Sequence, residues 1–319
     1  MTLSEWWALW HADPRATPFQ SPAWLDAWWE ALGSGERRDV LVRDDDRLVA
    51  ALPMRVWQDG ATRRLVPVGA GESDYCDALV DPAAGNAAER LMTALLTAAQ
   101  GCDEVLLPDL REGSPLLGPV PDDWISDCAP CETCPVLTLP ETGPLLPALT
   151  KSQRRKVVHD RHRAANAGGA IEAIVAPDDI DAALDALFSL HEMRWAAVGQ
   201  AGVLADPRIQ SFHRAAAPAL AAAGLLRLVT VTFDGRCVAV LLGFADASRG
   251  YSYINGVANT VPGQSFGSMA FATLIERAVA DGAREFHFLR GEEDYKYQWG
   301  AKPTHTVRRT LRRRESGMT

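Results

Sequence analysis

Two periods of hydrophobic spacing alternate along this 319-residue chain, and their order is nearly the same in its two halves. In the second half Met269, Phe271, Leu274, Ile275 and Ala278 recur at steps of about three and four, the spacing of one helix face. Gly282 ends that helix, and Glu285-Phe286-His287-Phe288-Leu289 then alternates as a strand does. Ahead of the helix, strand-like Tyr251–Ile254 gives way to a turn, Pro262-Gly263-Gln264-Ser265-Phe266-Gly267-Ser268. Further upstream the pattern predicts a strand over Ile171–Val175 and helices over Asp178–Ala197 and Pro207–Ala223. A hairpin follows, Leu226–Phe233 and Cys237–Phe244, folded at Asp234-Gly235.

The first half repeats much of this order. Ser21 and Pro22 open a helix that runs through Trp28-Trp29 to Leu32. Val40–Val42 and Leu48–Met54 form a hairpin about Asp44-Asp45-Asp46, and Leu65–Val68 is a third strand ending in Gly69-Ala70-Gly71. A helix over Asn86–Gln100 and a strand over Glu104–Leu107 complete the series. Arg47-Leu48-Val49-Ala50-Ala51-Leu52 matches Arg236-Cys237-Val238-Ala239-Val240-Leu241 as R-x-V-A-x-L, each on the second strand of its hairpin. A shared scrap at a shared place predicts a duplicated domain. The Pro- and Gly-rich segment Leu110–Leu149 holds the boundary, giving an N-terminal domain over residues 1–140 and a C-terminal one over 145–319. The tail Thr306–Arg313 is expected to add a last strand with its arginines in solvent. The class is α/β, with two domains that each hold a mixed central sheet flanked by helices.

Composition narrows the function classes. At 47% hydrophobic and 23% charged residues the chain has the make-up of a soluble globular protein. No stretch approaches the ~18 apolar residues of a membrane span. MTLSEWWALWHADPR lacks the basic start and apolar run of a signal peptide, so a cytoplasmic location is expected. A net charge of −9 argues against DNA binding, and the Ala-, Leu-, Arg- and Gly-rich usage looks bacterial. Cys128, Cys131 and Cys134 have metal-like spacing but neither a fourth cysteine nor a nearby histidine. The region CAPCETCPVLTLP therefore reads as a loop leading into the strand Val136-Leu137-Thr138-Leu139, with no metal expected.

Two stretches carry candidate chemistry. A glycine turn between a strand and a helix presents unpaired N–H groups and the positive end of the helix dipole, a seat for phosphate or pyrophosphate. The spacing at Gly263 and Gly267 is neither that of a dinucleotide fold nor that of a Walker loop. The densest basic run is Lys151–Arg163, stopped by Gly168-Gly169. As a helix it sets Lys151, Arg154, Arg155, His159 and His162 on neighbouring turns. It reads either as a solvated face or as an electropositive wall for a phosphorylated cofactor or anionic substrate.

Taken together, the order of elements in the second half resembles the GNAT acyltransferase fold, and the tandem arrangement is similar to the FemABX-like branch. More narrowly, the chain resembles the CelD-like acetyltransferases, named for cellulose biosynthesis. The resemblance rests on Phe19-Gln20-Ser21-Pro22-Ala23-Trp24, Ser73-Asp74-Tyr75, the basic start Lys151–Arg155, Leu190-His191-Glu192-Met193-Arg194-Trp195 and Pro262-Gly263. Its most specific part is Leu289-Arg290-Gly291-Glu292-Glu293-Asp294-Tyr295-Lys296-Tyr297-Gln298-Trp299-Gly300, close to the family phrase F-L-R-G-x-E-x-Y-K-x-x-W. In the pyrophosphate loop Met269 stands where GNAT enzymes commonly carry Gly or Ala.

The resemblance implies acyl transfer from acyl-coenzyme A, most simply acetyl-coenzyme A, by direct attack of an amine or hydroxyl. The acceptor would be a small molecule, a sugar or an envelope precursor. Tyr253, Ile254 and Asn255 would splay from Phe286–Phe288 to free backbone groups for the pantetheine arm. Gly263, Gln264, Ser265, Phe266, Gly267 and Ser268 would hold the pyrophosphate. Asp74 and Glu293 would serve as base, unless Glu293 pairs with Lys296 to shape its loop. Tyr75 and Tyr295 would protonate the leaving thiolate, or simply pack. Lys151, Arg155, His191, Arg194, Trp195, Arg290, Lys296 and Trp299 would line the acceptor side, His191 also reading as a satisfied core histidine. Two other functions stay open. One is a FemX-like transferase using aminoacyl-tRNA, held by Lys151–Arg163 and Arg308–Arg314; the other is a non-catalytic module of polysaccharide biosynthesis.

Overall fold

The computed structural model describes residues 2–258 and 263–314, so Pro262 of the glycine turn lies outside the described residues. The chain divides into two compact units, Met1–Thr133 with His305–Thr319, and Cys134–Thr304. No described helix is long and apolar enough to cross a membrane.

The first unit opens with α1 (Leu3–Ala12), started by a reciprocal cap between Thr2 and Glu5, and α2 (Pro22–Leu32), capped by Ser21 with Pro22 in its first turn. Six short strands follow: β1 (Glu36–Arg37), β2 (Val40–Asp44), β3 (Arg47–Leu52), β4 (Met54–Asp59), β5 (Thr62–Pro67) and β6 (Leu79–Val80). Then come α3 (Ala87–Ala98), β7 (Glu104–Leu110) and β8 (Trp124–Thr133). Leu91 and Leu95 bring one face of α3 onto Val40, Leu52, Leu65, Val105 and Leu107, the core of this unit.

The second unit runs through β9 (Val136–Thr138), α4 (Leu145–Ala148), α5 (Lys151–Asn166) and β10 (Ala170–Ile174). It continues with α6 (Ile180–Ala196), α7 (Pro207–Ala222), β11 (Leu226–Phe233), β12 (Arg236–Ala245) and β13 (Arg249–Val257). Finally come α8 (Phe266–Ala280), β14 (Glu285–His287) and α9 (Asp294–Gln298). They build one sheet in the order β10-β11-β12-β13-β14-β9, antiparallel except between β13 and β14. β12 is buried from Val238 to Ala245, as a central strand covered on both faces must be. Phe271, Leu274 and Ile275 of α8 pack over Val229, Val231, Ala239 and Leu241.

The chain then returns to the first unit as β15 (His305–Arg313), which enters between β7 and β8 to complete the sheet β1-β4-β5-β7-β15-β8. β2, β3 and β6 form a second, small sheet. Both copies of the R-x-V-A-x-L scrap, on β3 and β12, follow two-residue hairpin turns, with Asp45 (φ 50°) and Asp234 (φ 49°) left-handed at the same place. Asp tolerates that conformation better than most residues; the second turn residue differs, left-handed at Gly235 (φ 69°) but not at Asp46.

Three expectations are corrected here. Cys128 and Cys131 lie on strand β8, where a loop was expected, because β15 supplies a partner along Trp124–Thr133 from the far end of the chain. Arg309 is buried, with its Nε donating to Ser126 Oγ at 2.9 Å, where the tail arginines were expected in solvent. The tail itself, read as the end of a domain over 145–319, is a strand of the first unit. Among the described residues no group of three or more His, Cys, Asp or Glu side chains is placed to hold a metal.

Candidate functional site

β13 and β14 pair only at Arg249↔Glu285, Gly250↔Phe286 and Tyr251↔His287, and beyond Tyr251 they part. The cause lies on β13. Leu242 of β12 faces Ile254, yet the next residue, Gly243, faces Ser252, so Tyr253 is an extra residue that bends the strand. Gly243 makes this possible, because a Cβ there would come 2.4 Å from the Tyr251 carbonyl oxygen. On the other side the Phe288 N–H donates to the Pro135 carbonyl at 2.9 Å, holding the end of β14 to the β9 side. From Ser252 onward β13 has no β14 neighbour.

A cavity of about 350 Å³ is lined by Asn255 and Val257 of this parted strand. Ser265, Gly267, Ser268 and Phe271 come from the first turns of α8, Gln153 and Lys156 from α5, and Arg194 from α6. Tyr295, Gln298 and Trp299 close it. Its floor is aromatic: Phe271 lies 5.2 Å from the Tyr295 ring, 5.8 Å from Phe288 and 6.4 Å from Trp299, centre to centre. Its rim is polar, with Arg194 Nη1 donating to Asn255 Oδ1 at 3.3 Å. Burial, then the charge of Glu293, push the Tyr295 phenol up, against Arg194, so the hydroxyl stays protonated. An apolar floor under a few converging polar groups is what a small-molecule arm needs.

The turn after β14 is fixed from inside. Lys296 is buried, and its ammonium donates to the carbonyls of Leu289, Arg290 and Gly291 at 3.2, 2.6 and 3.1 Å. Leu289 (φ 58°) and Gly291 (φ 108°) are both left-handed, a costly state for a leucine. Glu293 Oε2 sits 2.9 Å from the same ammonium.

Comparisons with known proteins fit this geometry. Residues 151–297 match the family model described as an acetyltransferase (GNAT) domain. The crystal structure of FemX superposes with a TM-score of 0.68 at 12% identity, covering 97% of this chain and 96% of that one. A tandem GNAT protein from the clavulanic acid biosynthesis pathway gives 0.51 at 15% identity, over 99% and 96%. The fold is that of the tandem GNAT and FemX proteins. The C-terminal domain of a putative lysylphosphatidylglycerol synthetase from Agrobacterium fabrum also superposes, with a TM-score of 0.59 at 10% identity over 97% and 90%. No curated protein sequence matches the chain.

Within the second unit, the residues named from sequence fall into distinct places. Asn255, Ser265, Gly267, Ser268, Arg194, Tyr295 and Trp299 meet at the one cavity. Phe266 is core, its ring tilted against Phe233 at 5.2 Å, and Tyr253 packs against His213 and Phe244. Gly263 (φ 74°) gives its carbonyl to Arg163 at 3.0 Å. His191 is buried. Its Nε2 accepts from Trp195 Nε1 at 3.0 Å, which places the proton of the neutral ring on Nδ1, where it meets no partner. Burial, then Arg194, lower its pKa, so the ring is uncharged. Arg155 lines a shallow recess of about 780 Å³ on the outer face of α5 with Arg154, Lys156, His159 and His162, and Lys151 is exposed at the start of the same helix. Arg290 contributes its carbonyl to Lys296.

In the first unit of this tandem fold, two motif fragments come together. Gln20 Nε2 donates to the Tyr75 carbonyl at 2.6 Å, Trp24 Nε1 donates to Ser73 Oγ at 2.9 Å, and the Phe19 ring is 6.1 Å from that of Tyr75. The Arg111 guanidinium lies 5.2 Å from the centre of the buried Tyr75 ring, and Asp74 is 5% exposed. The sequence reading missed Gln153, Lys156, Val257, Phe271 and Gln298 of the cavity, and the bulge beside it. Gly243 and Gly256, isolated in apolar strands, were the available signal. At Gly256 a Cβ would meet the Leu190 Cβ at 2.8 Å, so α6 seats directly on the parted strand.

Proposed function

We propose that this protein is an acyltransferase of the CelD-like kind, moving an acyl group, acetyl in the simplest case, from acyl-coenzyme A to an amine or hydroxyl. The acceptor is a small molecule, sugar or envelope precursor, and the reaction belongs in the cytoplasm. The observation that carries the reading is the parting of β13 from β14 after Tyr251 and His287, with the 350 Å³ cavity at the freed strand. The freed strand offers backbone groups to the amides of a pantetheine arm, and the aromatic floor suits its methylenes. Attack by an amine needs a base, for which Asp74 and Glu293 are the candidates, Glu293 the weaker of the two because it already pairs with the Lys296 ammonium at 2.9 Å. Incubation with acetyl-coenzyme A and a panel of amines and hydroxylated precursors, followed by thiol release and product mass, tests it. Acceptor-dependent thiol release is expected, and its absence across donors of several chain lengths would sink the reading.

A second reading, transfer from aminoacyl-tRNA, has one specific observation in its favour, the cationic recess of Arg154, Arg155, Lys156, His159 and His162. It requires a tRNA gel shift that weakens steeply with salt.

A further inference from the structure

A diphosphate seat at a helix N-terminus needs donors facing the ligand and no negative charge behind them. The N-terminus of α8 is furnished in the opposite way. Asp160, 4% exposed, reaches it from α5 and lies beside the Ser265 N–H and the Ser268 hydroxyl. No hydrogen bond of good geometry reaches Asp160 Oδ2 or Ser268 Oγ, although Ser268 is only 7% exposed. Gln264 Nε2 donates to the backbone carbonyl of Asp160 at 2.9 Å. A carbonyl can only accept, so the amide orientation is fixed and Gln264 Oε1 is left as a second buried acceptor without a partner. Arg163, one turn further along α5, donates to the Gly263 carbonyl of the same turn. Phosphate oxygens accept hydrogen bonds, and here they would meet a carboxylate and an amide oxygen.

We propose that Asp160 is a donor-specificity residue, filling the anion seat of α8 from within and turning a diphosphate away from it. This rests on the acyl-thioester reading above and deepens it: the donor is recognised by its thioester arm along β13, and a nucleotide diphosphate gains nothing at α8. The departure at Met269, whose sulfur lies 3.4 Å from Gln264 Nε2, belongs to the same closed arrangement.

Isothermal titration with inorganic pyrophosphate and with coenzyme A decides it, on the wild type, Asp160→Asn, Asp160→Ser, and Gly267→Asp alone and combined with Asp160→Asn. Asn keeps the size and removes the charge; Ser also opens space, should Asn alter folding as judged by circular dichroism. Pyrophosphate affinity is expected to rise at least tenfold in both Asp160 variants and to fall back when Gly267→Asp is added. Pyrophosphate binding by the wild type that Gly267→Asp abolishes would overturn the proposal, as would no gain in either Asp160 variant. Acyl-coenzyme A turnover measured in parallel keeps the two readings apart. Transfer without any gain at Asp160 removes only this inference, and the gain without transfer removes only acyl-coenzyme A as donor.

Discussion

The Lys296 ammonium lies 3.2 Å from the carbonyl of Leu289, a residue held at a φ of 58°. One buried cation thus organises a strained turn by filling three carbonyls at once, and its acidic partner Glu293 has a side chain 55% exposed. Lys296→Met removes the donor and leaves those carbonyls short of partners, so it should cost roughly 2–4 kcal/mol in urea unfolding. Glu293→Gln should cost under about 1 kcal/mol, because solvent screens an exposed carboxylate. Equal losses in the two variants would show that the ion pair, and not the carbonyl cage, holds the turn.

Much of this architecture was legible locally, and the reason is physical. The hairpins at Asp45 and Asp234, the face of α8 and the cap at Ser21 depend on neighbours a few residues away, which spacing and turn chemistry report. The place of β15 between β7 and β8 was not legible, since strand pairing across the length of the chain leaves no periodic trace on Thr306–Arg313 beyond a strand pattern. The site shows the same divide. Asn255, Ser268 and Tyr295 belong to conspicuous motifs, whereas Gln153 and Asp160 become significant only when α5 packs across the first turn of α8.

The parting of the strands depends on Gly243. Gly243→Ala would drive a methyl toward the Tyr251 carbonyl oxygen, 2.4 Å from an ideal Cβ, and the bulge at Tyr253 would have to move. A destabilisation of about 1–3 kcal/mol is expected, the usual range for overpacking. Acyl transfer should fall by more than global stability explains, because the freed edge of β13 shifts with the bulge. A variant that melts lower but keeps wild-type kcat/KM would separate the bulge from function.

Deprotonation of an amine acceptor can be probed at Asp74 and Glu293 one at a time. Asp74→Asn and Glu293→Gln keep shape and remove charge. Each is expected to lower kcat by roughly 10²-fold with little change in donor affinity, and the deficit should shrink at high pH, where the amine is already neutral. Wild-type kcat in both variants across the pH range would place the base elsewhere.

The last prediction concerns His213, which is buried, its ring tilted against Phe212 at 4.8 Å and edge-on to Tyr253 at 5.8 Å, centre to centre. Burial pushes its imidazole from 6.5 down to about 3, because the charged form cannot be solvated there. In the unfolded chain the ring titrates near its ordinary value, so between those two pKa values the unfolded state binds the extra proton. Stability is therefore full above about pH 6.5 and declines as the pH falls toward 3, by up to roughly 1.4 kcal/mol per pH unit from this group. His213→Phe keeps a flat ring against Tyr253 and removes the titration. Other groups also titrate in this range, so the informative quantity is the difference between the two proteins. Going from pH 7.5 to pH 5.0 in denaturant unfolding, the wild type should lose about 2 kcal/mol more than the variant. Parallel pH profiles would mean that His213 is protonated in the folded protein, with water or a carboxylate reaching it beside the bulge at Tyr253.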